Sequence, residues 1–206
     1  MPLVADACWD AVDAVGVVGA SAVLVGCSVG SAVVQHMTHR RPASVGALVL
    51  CGTGWWDRKE FALRHIAAFR DRGIDYRAEF ARNGFSERFR QTRLGAWFVQ
   101  LFTERNPTAD VATIIALLEA HSAPDPEWLQ ADIRVPVLII SGSRDRSHDA
   151  AFRLRDRLAD ARLVTLEGAG HACHIEQPWA FDSEVISFLR ELGHTQLPAS
   201  AILTAS

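Results

Sequence analysis

A serine, an aspartate and a histidine of this chain each stand in a short loop that directly follows an apolar run. Ser28 lies between two glycines in the motif G-C-S-V-G at residues 26–30. Asp145 ends the loop S-G-S-R-D, and His171 ends the loop E-G-A-G-H. A serine hydroxyl becomes a nucleophile at neutral pH when a base takes its proton and an acid orients that base. The sequence therefore predicts Ser28 as nucleophile, His171 as base and Asp145 as orienting acid.

The apolar runs before these loops predict the strands that position the three side chains. Residues 22–25, 45–50, 137–140 and 163–166 are short, apolar and rich in valine, leucine and isoleucine, as strands buried on both faces are. A helix over residues 29–39 separates the first two strands, which indicates parallel pairing with a right-handed crossover. The glycines beside Ser28 favour a tight strand-to-helix turn, because they leave room for close backbone packing. The carboxyl ends of the strands should then form one edge that carries the site.

Each of the three residues could also have a purely structural role. Ser28 could be a small residue needed for helix–strand packing, Asp145 a helix cap and His171 an ordinary loop histidine. Asp149 is the alternative acid, because it too follows the third strand. The remaining histidines have no comparable context and are expected on the surface or in the helical segment: His36, His39, His65, His121, His148, His174 and His194.

Composition limits the classes of function. The chain has 206 residues, 49% of them hydrophobic and 22% charged, which is typical of a single globular domain. A net charge of −3 provides no basic surface for nucleic acid. Residues 14–37 contain no charged side chain and resemble a membrane span, but four glycines within them favour a helix end, a strand and a sharp turn. We expect no membrane association.

The cysteines and the first residues indicate the compartment. Cys8, Cys27, Cys51 and Cys173 show no C-x-x-C spacing, and they are expected to be free thiols in a reducing cytoplasm. Residues 1–10 include Asp6 and Asp10 and no lysine or arginine, so no export signal is predicted. No group of residues has metal-ligand spacing, and no cofactor motif is present.

The middle of the chain, residues 55–129, has helical patterning and predicts a lid of short helices. Residues 1–54 and 130–194 would then form one discontinuous core, and residues 195–206 a disordered tail. The aromatic side chains of the lid either line an apolar substrate pocket or pack the lid helices together: Trp55, Trp56, Phe61, Phe69, Tyr76, Phe80, Phe85, Phe89, Trp97 and Phe98.

Together these motifs resemble the α/β-hydrolase superfamily over about residues 9–192. The order serine, aspartate, histidine is the order of that family's catalytic triad, and the G-A-G-H loop is followed by Glu176 within E-Q-P. The resemblance implies a partial α/β-hydrolase sheet of parallel strands, with helices on both faces and an inserted helical lid. It implies that Ser28 attacks a carbonyl carbon, His171 transfers the proton and Asp145 orients the imidazole. The backbone N–H of Val29 would donate to the oxyanion, and no cofactor or metal is implied.

The family's first strands, and the His-Gly loop that supplies a second oxyanion donor, have no counterpart before Ser28. The chain therefore resembles an N-terminally shortened member, in which the strand at residues 22–25 lies at the edge of the sheet and is expected to promote self-association. The predicted function is hydrolysis of a small ester, lactone or related acyl compound. The alternative is a truncated, catalytically weak or inactive homologue that binds a ligand or a partner chain.

Overall fold

Four parallel strands form the sheet of the described residues, which are residues 1–16, 21–54, 58–104 and 108–193 of a computed structural model. The strands are β1 (Ala22–Cys27), β2 (Val45–Cys51), β3 (Val137–Gly142) and β4 (Ala161–Leu166), paired side by side in the order β1-β2-β3-β4. The two central strands, β2 and β3, are apolar along almost their whole length because both of their faces are covered by helices.

The helices surround this sheet and fill the long connection between β2 and β3. Within the described ranges they are α1 (Pro2–Val15), α2 (Val29–Arg40), α3 (Lys59–Arg72), α4 (Tyr76–Arg82), α5 (Glu87–Arg90), α6 (Arg93–Glu104), α7 (Val111–Ser122), α8 (Glu127–Asp132), α9 (His148–Arg155), α10 (Cys173–Glu176) and α11 (Pro178–Glu191). Short 3₁₀ turns occur at Pro42–Ser44 and Gly73–Asp75.

Each face of the sheet packs against its own set of helices. Leu48 and Leu50 of β2 point to the face covered by α1, α2 and α9, where Trp9 of α1 is buried. Val49 of β2 points to the opposite face, which is covered by α11 through Phe188. This alternation along β2 is the period of two that a strand imposes on its side chains. The core therefore consists of two apolar layers separated by the sheet.

The sequence pattern predicted this architecture. The predicted strand segments lie within β1 to β4, and the expected sheet of parallel strands with helices on both faces is confirmed. The uncharged stretch at residues 14–37 contains the end of α1, then β1 and most of α2, which are separate elements. No helix among the described residues has the length and apolar character needed to cross a membrane.

Helices α3 to α8 lie between β2 and β3 along the chain, where the sequence predicts a lid. Their own apolar cluster centres on Phe69 and Tyr76, which are packed against α7. Helix α8 extends across the predicted boundary at residues 129 and 130, and Leu129 is fully buried. Residues 58–104 and 108–129 are called the lid as a name only, and the division into lid and core stays a prediction. Trp55, Trp56 and the predicted tail at 195–206 lie outside the described residues.

Strand β1 forms one edge of the sheet, as the sequence predicted. Its partner is β2, and no described strand pairs with its other side. Val25 is 58% exposed and Cys27 is exposed, whereas the residues of β2 are almost all buried. An apolar edge strand with free backbone groups can pair with another chain.

We propose that this edge causes self-association, and Val25→Lys tests the proposal. A lysine on an edge strand opposes pairing with a second chain, so the variant should scatter less light and stay monomeric at higher concentration than the parent. Val15→Lys is the matched control, because Val15 is 73% exposed on α1 and away from the edge. A parent chain that is already a monodisperse monomer would contradict the proposal.

Candidate active site

Ser28 occupies a strained turn between β1 and α2. Its φ of 55° and ψ of −121° lie in a region that non-glycine residues rarely adopt. The Ser28 N–H donates to the Cys51 carbonyl at 2.8 Å, and Ser31 Oγ donates to the Gly26 carbonyl at 2.7 Å. Such a conformation costs about 1–3 kcal/mol and persists only where surrounding contacts fix it. The turn holds Ser28 at the carboxyl edge of the sheet, as the motif predicted.

The two glycines of the motif differ in the space that a side chain would find at their positions. A Cβ on Gly26 would lie 2.5 Å from the Gly30 carbonyl oxygen, so only glycine fits there. A Cβ on Gly30 would meet no heavy atom within 4 Å. The expectation that both glycines serve close packing is therefore correct for Gly26 and wrong for Gly30, because nothing in the described chain packs against that side of the turn.

Asp145 and His171 are joined by a hydrogen bond. His171 Nδ1 lies 3.0 Å from Asp145 Oδ2, and the Asp145 side chain is fully buried. Ser147 also donates to this carboxylate, through its N–H at 2.9 Å and its hydroxyl at 2.7 Å. The carboxylate is thus fixed on both oxygens and orients the imidazole. Asp149, the alternative acid, is exposed in the first turn of α9 and makes no hydrogen bond to His171.

The pair shifts both ionisation equilibria. Burial lowers the pKa of the His171 imidazole, but the hydrogen bond and charge of Asp145 raise it more, so its pKa lies above the usual 6.5. Burial raises the pKa of the Asp145 carboxyl, whereas its hydrogen bonds with His171 and Ser147 lower it more, to below the usual 3.8. The arrangement favours a charged Asp145 beside an imidazole that readily accepts a proton.

The loops of the site are linked by hydrogen bonds beyond the ends of the strands. Ser28 N–H donates to Cys51, Gly52 N–H donates to Ile140 at 3.2 Å, and Ser143 N–H donates to Leu166 at 3.1 Å. Each bond continues the parallel ladder by one step and joins the loop after one strand to the end of the next. The positions of the serine, aspartate and histidine loops are therefore coupled through the backbone.

Gly52 provides the space in which His171 sits. Its φ is +57°, which favours glycine, and a Cβ there would lie 2.7 Å from the His171 carbonyl oxygen and 3.1 Å from the imidazole ring. The loop after β2 therefore contacts the histidine loop directly.

Ser28 and His171 line one cavity of about 490 Å³ between the sheet edge and the lid. No hydrogen bond joins Ser28 Oγ to His171, and Ser28 Oγ has no hydrogen-bond partner within the described ranges. Hydrogen bonds between catalytic groups often tighten only when a substrate binds. The apolar wall is supplied mainly by the lid: Phe61, Phe69, Phe80, Phe85, Phe102, Ile114, Leu117 and Leu118.

Val29, the predicted oxyanion donor, lies where α2 begins, and its role stays a prediction. Its N–H is at the first position of α2, where helix amides have no partner within the helix, and Val29 lines the cavity. The positive end of the helix dipole points toward the same space. Thr53 also lines the cavity, and it is the residue of the loop after β2 that could provide a second donor.

Glu176 is a residue of the site that sequence reasoning did not assign. One carboxylate oxygen accepts from the N–H groups of Ser86 at 2.7 Å and Gly170 at 3.1 Å, and the other accepts from the Ser86 hydroxyl. Glu176 therefore connects the lid to the residue that precedes His171. Its place in the E-Q-P motif was the only signal in the sequence.

The lid aromatics fulfil both roles that the sequence left open. Phe61, Phe69 and Phe80 line the cavity and also pack against one another or against His65. His65 Nδ1 lies 2.7 Å from the Tyr76 hydroxyl. The pKa of this imidazole is lowered to about 4, and burial is the main cause. Trp97 is 51% exposed.

Cys27, Cys51 and His174 form a second cluster beside Ser28. His174 Nδ1 lies 3.7 Å from Cys27 Sγ and 3.6 Å from Cys51 Sγ. Hydrogen bonding from Cys51 is the main cause that lowers the pKa of the Cys27 thiol to about 5, and His174 lowers it further. The sequence showed no ligand spacing here, because the three residues come from three elements and meet only in the fold. Cys27 is exposed rather than buried, since β1 is an edge strand.

Comparisons with known proteins agree with this fold. The sequence model described as the alpha/beta hydrolase family matches residues 2–181. A Rattus norvegicus protein named "Putative protein-lysine deacylase ABHD14B" is 32% identical over 62 residues, and the match spans only 30% of either chain. An esterase from Thermogutta terrifontis has a similar fold, with a TM-score of 0.78, 21% identity, and coverage of 93% of this chain and 72% of the esterase. The enol-lactonase from Burkholderia xenovorans LB400 gives a TM-score of 0.76 and 23% identity, with coverage of 87% and 68%.

The Asp145→Asn substitution tests the ion pair directly. Without the carboxylate charge, burial dominates, so the pKa of His171 should fall below its value in the parent, as followed by an NMR titration of the ring. Because the folded pKa of Asp145 is lowered from 3.8 and that of His171 is raised from 6.5, the pair should stabilise the fold most between these two pH values and less as the pH falls through the Asp145 pKa. That advantage over the variant should shrink as the pH rises through the His171 pKa.

Asp149→Asn is the matched control for this titration and should leave the His171 pKa unchanged. A fall in the Asp149 variant with no fall in the Asp145 variant would identify Asp149 as the orienting acid.

Proposed function

Because the chain belongs to the alpha/beta hydrolase family, we propose that it is a serine hydrolase acting on a small ester, lactone or related acyl compound. The observation that carries the proposal is the hydrogen bond between His171 and Asp145, placed beside the cavity that Ser28 also lines. The free thiols suit the reducing cytoplasm, which we propose as its location.

In the proposed mechanism, His171 Nε2 takes the proton of the Ser28 hydroxyl as Oγ attacks the carbonyl carbon of the substrate. Asp145 stabilises the imidazolium that forms, which requires Nδ1 to keep its proton. His171 then gives the proton to the leaving alcohol, and an acyl-enzyme remains on Ser28. Water activated by the same imidazole releases the acid and restores the serine.

The oxyanion of the tetrahedral intermediate would be held by the Val29 N–H and the dipole of α2. Loss of one oxyanion donor costs roughly a hundred- to a thousandfold in rate, so a second donor has a large effect on turnover. We propose Thr53 for that role, because it lines the cavity beside Gly52, which contacts His171.

The positive charges around the cavity favour a substrate with a carboxylate or another strong hydrogen-bond acceptor. Its lining includes Arg58, Arg77 and Arg146, and no aspartate or glutamate among the described residues. Arg58 is already paired with Asp125 at 2.6 Å. Arg77 lies over the Phe102 ring, and its buried Nη1 has no hydrogen-bond partner in the described part of the chain. A buried guanidinium N–H without an acceptor is costly, and a substrate carboxylate would satisfy it.

The second candidate function is binding without turnover. It is favoured by the absence of a hydrogen bond between Ser28 and His171 and by the single oxyanion donor, Val29, that the motif provides. A serine-directed phosphonate probe separates the two, because labelling of Ser28 requires an activated hydroxyl.

Ser28→Ala should lower ester turnover by more than about 10⁴-fold, because the nucleophile is lost. The thermal midpoint should change little or rise, since the hydroxyl makes no hydrogen bond in the described structure. Ser183→Ala, on the exposed side of α11, should keep full turnover and probe labelling. Equal turnover in the Ser28 variant and the parent would assign the activity to another site.

Arg77→Gln tests the preference for an anionic substrate. The parent should hydrolyse an ester that carries a free carboxylate faster than the neutral amide analogue, measured as kcat/KM. The variant should lose about 10–100-fold of that preference, the equivalent of one charge-assisted hydrogen bond. Arg88→Gln is the control, because Arg88 is exposed on α5 and does not line the cavity. An unchanged ratio in Arg77→Gln would contradict the assignment.

A further inference from the structure

We propose that Cys27, Cys51 and His174 form a binding site for a single thiophilic metal ion of the zinc class. This site lies beside Ser28 but uses none of the residues Ser28, Asp145 and His171, and the proposal does not depend on the proposed function. It rests on how the fold brings three soft ligands together, on the distances between their donor atoms and on the access of solvent to them.

The sheet register places the two sulfur ligands side by side. Cys27 and Cys51 are the last residues of β1 and β2 and are directly paired across the two strands. Paired residues of neighbouring strands point to the same face, so both thiols lie on one side of the sheet. His174 of α10 lies over that face, and its ring also packs near Phe181 at 5.8 Å between centroids. Two strands and one helix thus supply one ligand each.

The donor atoms have the spacing of a tetrahedral site. Zinc bonds of about 2.3 Å to sulfur and about 2.0–2.1 Å to nitrogen require about 3.6 Å between sulfur and nitrogen. The distances from His174 Nδ1 to the two sulfurs are 3.7 and 3.6 Å, and all three donor atoms lie within 4.8 Å of one another. The two sulfur–nitrogen distances therefore already match those of a bound zinc ion.

The chemistry of the ligands also suits a soft ion. Two sulfurs and an imidazole favour zinc or copper(I) over magnesium or calcium. Cys27 would bind as a thiolate, because a thiol must lose its proton to ligate a metal ion. Cys51 would release its proton to solvent on binding, and His174 would bind through neutral Nδ1 while Nε2 holds the ring proton.

Solvent can reach the site from the edge of the sheet. Cys27 is exposed because β1 has no described outer neighbour, and His174 lines the cavity that contains Ser28. Three protein ligands leave a fourth position for water or another small ligand. A bound ion would fix His174, and with it the loop that carries His171, against the ends of β1 and β2.

Cobalt(II) binding to the reduced, chelator-treated chain tests the proposal without use of catalysis. The parent should take up one Co²⁺ per chain with a thiolate-to-metal charge-transfer band in the near ultraviolet, and one equivalent of Zn²⁺ should remove the band. Cys27→Ser and His174→Asn should each weaken binding by more than about a hundredfold, since even outer-shell partners account for about 10–100-fold. Cys27 is an exposed edge residue, so the serine variant is expected to fold, and circular dichroism checks this.

Two control variants distinguish this cluster from the other thiols. Cys8→Ser, on α1, and Cys173→Ala should both keep the band and the stoichiometry, although Cys173 Sγ lies 3.5 Å from Cys51 Sγ. The proposal is overturned if the parent shows no charge-transfer band. It is also overturned if the band persists in Cys27→Ser and His174→Asn, or if it is lost in either control.

Discussion

The backbone at Ser28 is the constraint on which the rest of the site depends. A serine held at φ 55° must be fixed by its neighbours, and the hydrogen bond from its N–H to the Cys51 carbonyl provides that fixation from the adjacent strand. The same carbonyl also accepts from Ser31 Oγ at 3.2 Å, so one oxygen holds both the turn and the first part of α2. Because the turn is bonded to β2, the position of Ser28 follows any change in the pairing of β1 with β2.

The sheet and the lid contribute different parts of the site. The sheet fixes Ser28, Asp145 and His171 at the ends of three strands, while the lid supplies most of the apolar wall and the cations Arg58 and Arg77. The two parts are joined by specific bonds at the histidine loop, where the Ala172 N–H donates to the Gly84 carbonyl at 2.9 Å. Movement of the lid would therefore act first on the loop that carries His171.

Sequence reasoning could predict the sheet and the three residues at its edge, because both depend on local signals. A buried strand followed by a glycine-rich loop is visible in the order of residues, and the parallel connection fixes the edge at which Ser28 and Asp145 emerge. Glu176 and the cluster of Cys27 with His174 could not be predicted in the same way. Their contacts join elements that are distant in sequence, and the spacing of these residues along the chain does not indicate that they lie close together in the fold. The open space at Gly30 was also hidden, since a glycine gives the same local signal whether or not a neighbour packs against it.

The lid is inserted between two strands that are neighbours in the sheet, and this bears on how the protein can evolve. Strand β2 ends at Cys51 and β3 begins at Val137, and Leu48 pairs with Val137 across them. The entropy of closing the chain between them grows only slowly with length, by about 0.6 kcal/mol for each doubling. Insertions and deletions in this connection are therefore thermodynamically mild as long as α8, which leads back to β3, is kept. Selection can therefore reshape the wall of the cavity while Ser28, Asp145 and His171 keep their places at the strand ends.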